Sequence, residues 1–253
     1  MGGIQAVTFD LWDTIYRDDS DEPVRKRMGL PPKARHRRQL LCEALGWTNE
    51  QELLRADAAM STADEAFKKV WREQCVTWKV AERLDLVLRG LGAELDEHAR
   101  AALVERIERM ELDVPPELAP GVKRAIETLS GRYQLGVISD TVYTPGWALR
   151  ELLERSGLAR YFSAMVFSDE IGRSKPAREP FEEAAMRLGV RTGQMVHIGD
   201  RESNDIEGAH AAGAKAVLVT VVKDRGSNDT SADAVCSDYA ELDAILERLG
   251  SQP

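Results

Sequence analysis

The segment IQAVTFDLWDT, residues 4–14, combines an apolar strand pattern with a cluster of acidic and polar side chains that follows it directly. Residues Ile4–Phe9 are mostly apolar or β-branched at successive positions, as in a strand buried on both faces of a parallel sheet. Asp10 stands where that strand should end. Because ligands bind outside the carboxyl ends of parallel strands, the segment predicts a functional site directly after the first strand.

Similar runs recur along the chain and alternate with helical patterns. The predicted strands are Ile4–Phe9, Gln134–Ile138, Met195–Ile198 and Ala216–Val222, with a weaker one at Ala164–Phe167. The helical patterns cover residues 121–130, 145–156, 179–188, 204–212 and, at the end, 239–250. This alternation predicts an α/β fold with a Rossmann-like parallel sheet covered by helices on both faces.

The stretch between residues 17 and 117 interrupts the alternation, because it contains helical patterns only. These patterns are Ala34–Leu45, Asn49–Met60, Ala63–Gly90 and Asp96–Glu111. We predict an inserted all-helical domain at residues 17–117, and a core domain made of residues 1–16 and 118–253.

Composition excludes several classes of protein. The 253 residues are 43% hydrophobic and 30% charged, which is typical of a globular chain, and the net charge of −9 argues against a general nucleic-acid binder. Three scattered cysteines do not suggest a disulfide framework, and we find neither a signal peptide nor an apolar run of about 18 residues. We expect a soluble cytoplasmic protein, monomeric or homodimeric, that binds neither nucleic acid nor membrane.

Four clusters at predicted strand ends carry the chemistry. They are residues 10–14, residues 139–141 (Ser-Asp-Thr), Lys175-Pro176, and residues 199–205 (Gly-Asp-Arg-Glu-Ser-Asn-Asp). The carboxylates of Asp10, Asp200 and Asp205 are the hard oxygen ligands that suit Mg²⁺, and a carboxylate can also act as a nucleophile. Lys175 offers a compact cation for Asp10 and for a phosphoryl oxygen, while Ser139 and the N–H groups after it can donate hydrogen bonds to such a group.

The four clusters, in this order, resemble the motifs of the haloacid dehalogenase superfamily over residues 4–16 and about 119–222. The fourth cluster is the most specific part, and the helical insertion resembles the family's cap. The resemblance implies a Mg²⁺-dependent hydrolase that acts on a small anionic, phosphorylated substrate.

The resemblance also implies a role for each site residue. Asp10 would be the nucleophile, Thr14 would support the first loop, Ser139 would bind the transferring group and Lys175 would balance charge. Mg²⁺ would be held by Asp10, Asp200, Asp205 and the backbone carbonyl of Trp12. We expect Trp12, Ser139, Asp140 and Lys175 to contact the substrate.

Trp12 departs from the family pattern, because the phosphatases of the family carry there a second Asp, which is their general acid/base. Such a group contributes about 10²–10⁴ in rate, and most for poor leaving groups. The neighbouring Asp13 is the candidate replacement, and the other interpretation is that it caps the local turn.

The departure leaves alternatives to a phosphatase. The 2-haloacid dehalogenases carry an aromatic residue at this position, but they need no metal and lack the Gly-Asp motif. Phosphonoacetaldehyde hydrolases keep Mg²⁺ and use a cap lysine to form an imine; the candidates here are Lys26, Lys33, Lys68, Lys69 and Lys79, interpreted first as surface residues. A non-catalytic ligand-binding protein with Trp12 plugging the site is the remaining alternative.

The inserted helices offer one feature that bears on the substrate. The segment from Arg25 to Arg38 is basic within an acidic chain, and we interpret it either as a solvated surface or as a source of side chains, such as Arg35, Arg37 and Arg38, that attract an anion. Trp71 is expected in the helical core, and His197 is expected to be a hydrogen-bonded core residue.

Overall fold

The computed structural model describes residues 3–251, and within this range six parallel strands form one sheet in the order β3-β2-β1-β4-β5-β6. The strands are β1 (Ala6–Phe9), β2 (Gln134–Ser139), β3 (Ala164–Phe167), β4 (Met195–Gly199), β5 (Lys215–Val219) and β6 (Ala234–Cys236). The chain builds outward from β1 through β2 to β3, then returns to β4 on the other side of β1. This reversal puts the ligand-binding crevice of such sheets at the carboxyl ends of β1 and β4.

Two apolar layers cover the sheet, and the alternation of side chains along each strand divides the strand residues between them. In β1, for example, Val7 and Phe9 face one layer and Ala6 faces the other. The first layer receives α7 (Val122–Ser130), α8 (Gly146–Arg155) and α12 (Leu242–Ser251). The second receives α10 (Glu179–Leu188) and α11 (Glu207–Ala211). A short helix, α9 (Ser168–Ile171), follows β3. The predicted α/β class and parallel sheet are therefore confirmed.

The segment between β1 and β2 is helical, and we call residues 17–117 the cap segment. Its helices are α1 (Glu22–Arg27), α2 (Lys33–Leu45), α3 (Glu50–Gln74), α4 (Val80–Leu91), α5 (Glu97–Glu108) and α6 (Met110–Asp113). They enclose an apolar cluster of their own, separate from the two layers on the sheet. The division of the chain into two domains at these boundaries stays a prediction.

Several predicted boundaries are wrong. The helix expected to end at Met60 continues as α3 to Gln74. Thr62 does not break it, because its hydroxyl donates a hydrogen bond to the Ala58 carbonyl one turn earlier. The break comes instead at Cys75, which adopts a left-handed backbone conformation with φ 53°, and the predicted helix at 63–90 is thus two helices. The strand expected at Ala216–Val222 ends at Val219, and β6 and α1 were not predicted.

Among the described residues, none of the helices has both the length and the apolar character that a transmembrane span requires.

Helix α10 offers a matched test of the packing. Phe181 is fully buried between the sheet and α11, and its ring meets the His197 ring edge-on with centroids 5.1 Å apart, whereas Met186 on the same helix is 66% exposed. We expect Phe181→Ala to lower the free energy of unfolding by about 3–5 kcal/mol, since it removes a large core side chain. Met186→Ala should change it by less than about 0.5 kcal/mol. Urea denaturation followed by circular dichroism measures both, and equal losses would contradict the packing described.

Candidate active site

Asp10 lies at the carboxyl end of β1, in the middle of the sheet. Its backbone N–H donates to the Ile198 carbonyl at 2.8 Å, which ties the start of the first loop to β4. The side chain is buried, and its Oδ1 accepts a hydrogen bond from Lys175 Nζ at 2.5 Å. The residue with which the sequence motif begins is therefore paired with the lysine of the third cluster, 165 residues away.

Lys175 is buried and has three acceptors. Its ammonium donates to Asp10 Oδ1, to Asp205 Oδ1 at 2.6 Å and to the Ile138 carbonyl at 3.0 Å, so all three N–H donors of the group are used. Burial alone would lower the pKa of Lys175, but the Asp10, Asp205 and Asp140 carboxylates raise it above its usual value. Lys175 is therefore a fixed positive charge and not a proton donor or acceptor near neutral pH.

Asp205 is held on a π-helical turn, Glu202–Ile206, that follows β4. Its Oδ2 accepts from the Arg201 backbone N–H at 3.0 Å, and its Oδ1 also lies 3.2 Å from His197 Nε2. Burial by itself would raise the pKa of Asp205, yet Lys175 and His197 hold it below its usual range. The other ring nitrogen of His197, Nδ1, forms a hydrogen bond with Thr8 Oγ1 at 2.9 Å. His197 is therefore a hydrogen-bonded core histidine, as expected.

Gly199 has a structural reason to be glycine. A Cβ at this position would lie 2.2 Å from Asp205 Cγ, so the carboxylate occupies the space that a side chain would need. The Gly-Asp pair of the fourth cluster therefore reflects the close approach of Asp205 to the end of β4.

Asp10, Asp200 and Asp205 together form a carboxylate cluster. One oxygen of each lies within 4.8 Å of the others, and all three side chains are buried. Burial raises the pKa of Asp10 to about 8 and that of Asp200 to about 6, with Lys175 and Asp205 acting in opposite directions on Asp10. Asp200 Oδ1 is buried without a hydrogen-bond partner among the described residues. Three crowded carboxylates with an unpaired oxygen fit a divalent cation, which would favour their ionised forms.

Arg225 was not anticipated as a site residue. It lies in the loop after β5, and its guanidinium donates hydrogen bonds to both Asp200 and Asp13. Asp13 is 212 residues away from it in the sequence. Asp13 adopts a left-handed conformation with φ 54°, and its second oxygen accepts from the Asp18 backbone N–H. Asp13 therefore supports the first loop, and it is not among the residues that line the cavity described below.

The second cluster follows β2. Ser139 is buried at the strand end, next to Phe167 of β3 in register. Asp140 accepts from the Lys175 backbone N–H at 2.9 Å and from the Asn204 side-chain amide at 3.2 Å, and burial raises its pKa to about 6. Asp140 thus joins three of the four clusters, a role that its position alone did not reveal.

Trp12 and Thr14 complete the first loop. Trp12 is partly buried against the core, with its ring 6.5 Å from the Tyr16 ring, and it lines the cavity. Thr14 is buried; its carbonyl accepts from the Tyr239 hydroxyl at 2.8 Å, and its own hydroxyl has no partner among the described residues.

A cavity of about 260 Å³ lies between the carboxyl edge of the sheet and the cap segment. The four clusters all contribute to its walls, and so do cap residues, among them Arg37, a candidate for attracting an anion, and Lys33, a candidate for forming an imine. The cap side chains are Asp18, Asp19, Lys33, Arg37, Trp71 and Glu111. Desolvation under the cap, together with the nearby Asp19 carboxylate, raises the pKa of Asp18 to about 6.

The loop after β2 closes one side of this cavity. Val142 accepts from Arg83 at 2.6 Å through its carbonyl, and the Tyr143 hydroxyl donates to Asp64 at 2.5 Å. Arg83 and Asp64 are themselves an ion pair on the cap helices. The cap segment is thereby joined to the loop that carries Ser139 and Asp140.

Comparison with known proteins agrees with this geometry. The model of a haloacid dehalogenase-like hydrolase family matches residues 4–213. A glyceraldehyde 3-phosphate phosphatase of Methanopyrus kandleri is 30% identical over 228 residues, which cover 88% of this chain and 85% of that protein. The 5-amino-6-(5-phospho-D-ribitylamino)uracil phosphatase YigB of Escherichia coli is 30% identical over 224 residues, 87% of this chain and 84% of that protein.

The fold has close counterparts among solved structures. A 2-haloacid dehalogenase from Pseudomonas syringae superposes with a TM-score of 0.68 at 24% identity, over 97% of this chain and 99% of that one. At this identity the likeness concerns the fold alone. The four clusters, their convergence at one sheet edge and the family match over most of the chain lead to one conclusion: this protein belongs to the haloacid dehalogenase-like hydrolases.

Proposed function

We propose that this hydrolase is a Mg²⁺-dependent phosphomonoesterase that works through an aspartyl-phosphate intermediate. The observation that carries the proposal is the buried Lys175 ammonium, which donates to both Asp10 and Asp205 in the wall of the cavity. Asp200 belongs to the same carboxylate cluster as these two residues. The names of the two relatives, both phosphatases at 30% identity, support the same activity.

Asp10 is the proposed nucleophile. Lys175 holds Oδ1, so the second oxygen of the carboxylate remains to attack phosphorus in line with the leaving oxygen. A new bond forms between Asp10 and phosphorus as the bond to the leaving oxygen breaks, and that oxygen departs as an anion that takes its proton from water. Water then hydrolyses the acyl phosphate, which releases inorganic phosphate and regenerates the carboxylate. Lys175 balances negative charge in both steps, because its raised pKa keeps it protonated.

The proposed Mg²⁺ ligands are Asp10, Asp200, Asp205 and the backbone carbonyl of Trp12. When bound, the ion would neutralise charge on the phosphoryl oxygens and orient the group for attack. The proposed further donors for the phosphoryl group are the Ser139 hydroxyl and the Asp140 backbone N–H, with Asp140 and Asn204 setting the shape of that loop. The next N–H, that of Thr141, already donates to Ser168 Oγ. Thr14 and Asp13, tied to Tyr239 and Arg225, support the first loop.

The imine alternative is disfavoured by the one candidate lysine that lines the cavity. Lys33 is buried, contrary to the expectation of a surface residue, and donates to Asp21 and Glu111 at 2.9 Å each. Although burial by itself lowers the pKa of Lys33, these carboxylates raise it above its usual value. An imine-forming amine needs the opposite shift, because only the neutral amine is nucleophilic.

The dehalogenase and non-catalytic alternatives are disfavoured by the charge cluster. A metal-independent dehalogenase has no need of three carboxylates within 4.8 Å, and a purely structural pocket would not retain the buried Asp10–Lys175–Asp205 set. Chloride release from 2-chloropropionate without Mg²⁺ would favour the first of these alternatives. Acetaldehyde formation from phosphonoacetaldehyde that borohydride abolishes would favour the imine route.

The central test is hydrolysis of p-nitrophenyl phosphate with and without Mg²⁺. We expect phosphate release that chelation with EDTA abolishes, and Asp10→Asn should lower kcat by at least about 10³-fold because the nucleophile is removed. Asp57→Asn, a change at an exposed carboxylate on α3, is the matched control and should leave kcat unaltered. Substantial activity of Asp10→Asn would show that another group attacks.

Metal binding has a test independent of turnover. Gly199→Ala places a Cβ 2.2 Å from Asp205 Cγ and must displace that carboxylate. We expect isothermal calorimetry to show Mg²⁺ affinity reduced by at least about 10-fold. Gly90→Ala, on α4 with nothing within 4 Å of the added Cβ, is the control and should bind Mg²⁺ as the parent does. Undiminished affinity in a folded Gly199→Ala protein would remove Asp205 from the proposed ligands.

The aromatic residue at position 12 predicts a dependence on the leaving group. Without an acid at this position, we expect aryl phosphates to be hydrolysed about 10²–10⁴ times faster than alkyl phosphates, since only the latter need a proton on the departing oxygen. Trp12→Asp should narrow the gap by raising the alkyl rate, whereas Trp12→Phe should preserve it. Equal rates in the parent enzyme would show that another carboxyl group, with Asp18 the first to test, supplies the proton.

A further inference from the structure

The positively charged side chains that line the cavity differ in whether they already have a carboxylate partner. They are Lys33, Arg37, Lys175 and Arg201. Lys175 and Lys33 each donate to two carboxylates, and Arg201 Nε lies 3.9 Å from Asp200 Oδ1. Among the described residues, Arg37 has neither a hydrogen-bond acceptor nor a carboxylate partner within ion-pair distance.

Arg37 is nevertheless held in place. It lies on α2, half-buried, with its guanidinium carbon 3.6 Å from the centroid of the Tyr143 ring. Tyr143 is in turn fixed by its hydrogen bond to Asp64. Stacking occupies a face of the guanidinium and leaves the N–H groups at its edge free to donate. An ordered cation whose donors have no acceptor is costly in a partly buried wall unless a ligand supplies one.

A second unpaired donor lies in the same wall. The Trp71 indole N–H is buried without an acceptor among the described residues, and Trp71 lines the cavity although its position predicted the helical core. The two donors belong to α2 and α3, on the cap side of the cavity, whereas the carboxylate cluster and Lys175 belong to the sheet side. The cap side of the cavity therefore carries hydrogen-bond donors that have no acceptor among the described residues, while the sheet side carries the proposed nucleophile.

We propose that Arg37 binds a carboxylate of the substrate, at the end opposite the phosphoryl group. The inference rests on the proposed phosphomonoesterase and names its substrate class as short phosphorylated hydroxy acids. A guanidinium matches a carboxylate through two parallel hydrogen bonds. Asp18, Asp19 and Glu111 line the same cavity and would repel a second phosphate dianion more strongly than a monoanion. The cavity of about 260 Å³ has room for a small substrate of this class.

The basic segment of the cap thus has mixed roles. Arg35 is exposed and Arg38 is paired with Asp57, and neither lines the cavity. Of the three arginines named from the sequence, Arg35, Arg37 and Arg38, Arg37 is the one that lines the cavity. Selection by this residue would be strong, because a neutral analogue leaves its charge unpaired in the wall.

The test compares 2-phosphoglycolate with its carboxamide, which has nearly the same shape but no carboxylate charge. We expect the parent enzyme to prefer the acid by roughly 10–100-fold in kcat/KM, mostly through KM, as for a hydrogen bond to a charged group. Arg37→Gln should abolish this preference, and Arg37→Lys should restore part of it. Arg35→Gln, on the same helix but exposed, should keep the full preference. Circular dichroism establishes that each variant is folded.

Three results would overturn the inference. Equal use of the acid and the amide by an enzyme that hydrolyses p-nitrophenyl phosphate would leave the proposed function standing and reject the role of Arg37. A preference for ethylene glycol bisphosphate over the acid, lost in Arg37→Gln, would assign Arg37 to a second phosphate instead. The absence of phosphate release from every phosphomonoester would reject the proposed function itself, and this inference with it.

Discussion

The Lys175 ammonium, buried between Asp10 and Asp205, is the interaction on which the rest of the site depends. A charge removed from water is stable only if it is paired and hydrogen-bonded, and here each donor of the ammonium has an acceptor. Removing one partner of such a set typically costs about 3–5 kcal/mol, because the other charge stays buried. The ends of β1, β2 and β4 and the π-helical turn are consequently held in one arrangement, which is the arrangement that a positioned nucleophile requires.

The same crowding explains why the site is suited to a cation. Lys175 offsets part of the charge of Asp10 and Asp205, and Arg225 offsets part of that of Asp200 while fixing Asp13 in the first loop. Even so, burial keeps the pKa values of Asp10 and Asp200 above their usual range, and one oxygen of Asp200 has no partner among the described residues. The crowded carboxylates therefore resist ionising together, and a divalent ion would favour their ionised forms and bind a phosphoryl group beside them.

Two parts of the chain line the cavity, and they contribute different kinds of side chain. The sheet edge holds the reactive carboxylates, while the cap segment adds Lys33, Arg37 and the acidic residues around them. Tyr143 connects the two, since it follows the second cluster in sequence yet bonds to Asp64 and stacks under Arg37. The loop after β2 is therefore joined to the cap segment both through Tyr143 and through the Val142 carbonyl, so movement of the cap segment would displace this loop.

The pattern of the sequence was sufficient to predict the α/β fold, the central strands and the four clusters. The strands follow from the local alternation of residues, and the meeting of the clusters follows from the rule that parallel strands have their carboxyl ends at the same edge. Asp10, Lys175, Asp200 and Asp205 could be named for that reason, and the structure brings them to one place. Arg225 and its pairing with Asp13 could not be foreseen, since the two side chains are 212 residues apart in the chain. Arg37 was a candidate together with Arg35 and Arg38, and the structure distinguishes it by placing it in the cavity wall against Tyr143. The length of α3 and the burial of Lys33 were missed for the same reason: tertiary packing overrode weak local signals such as Ser61-Thr62 and a run of basic residues.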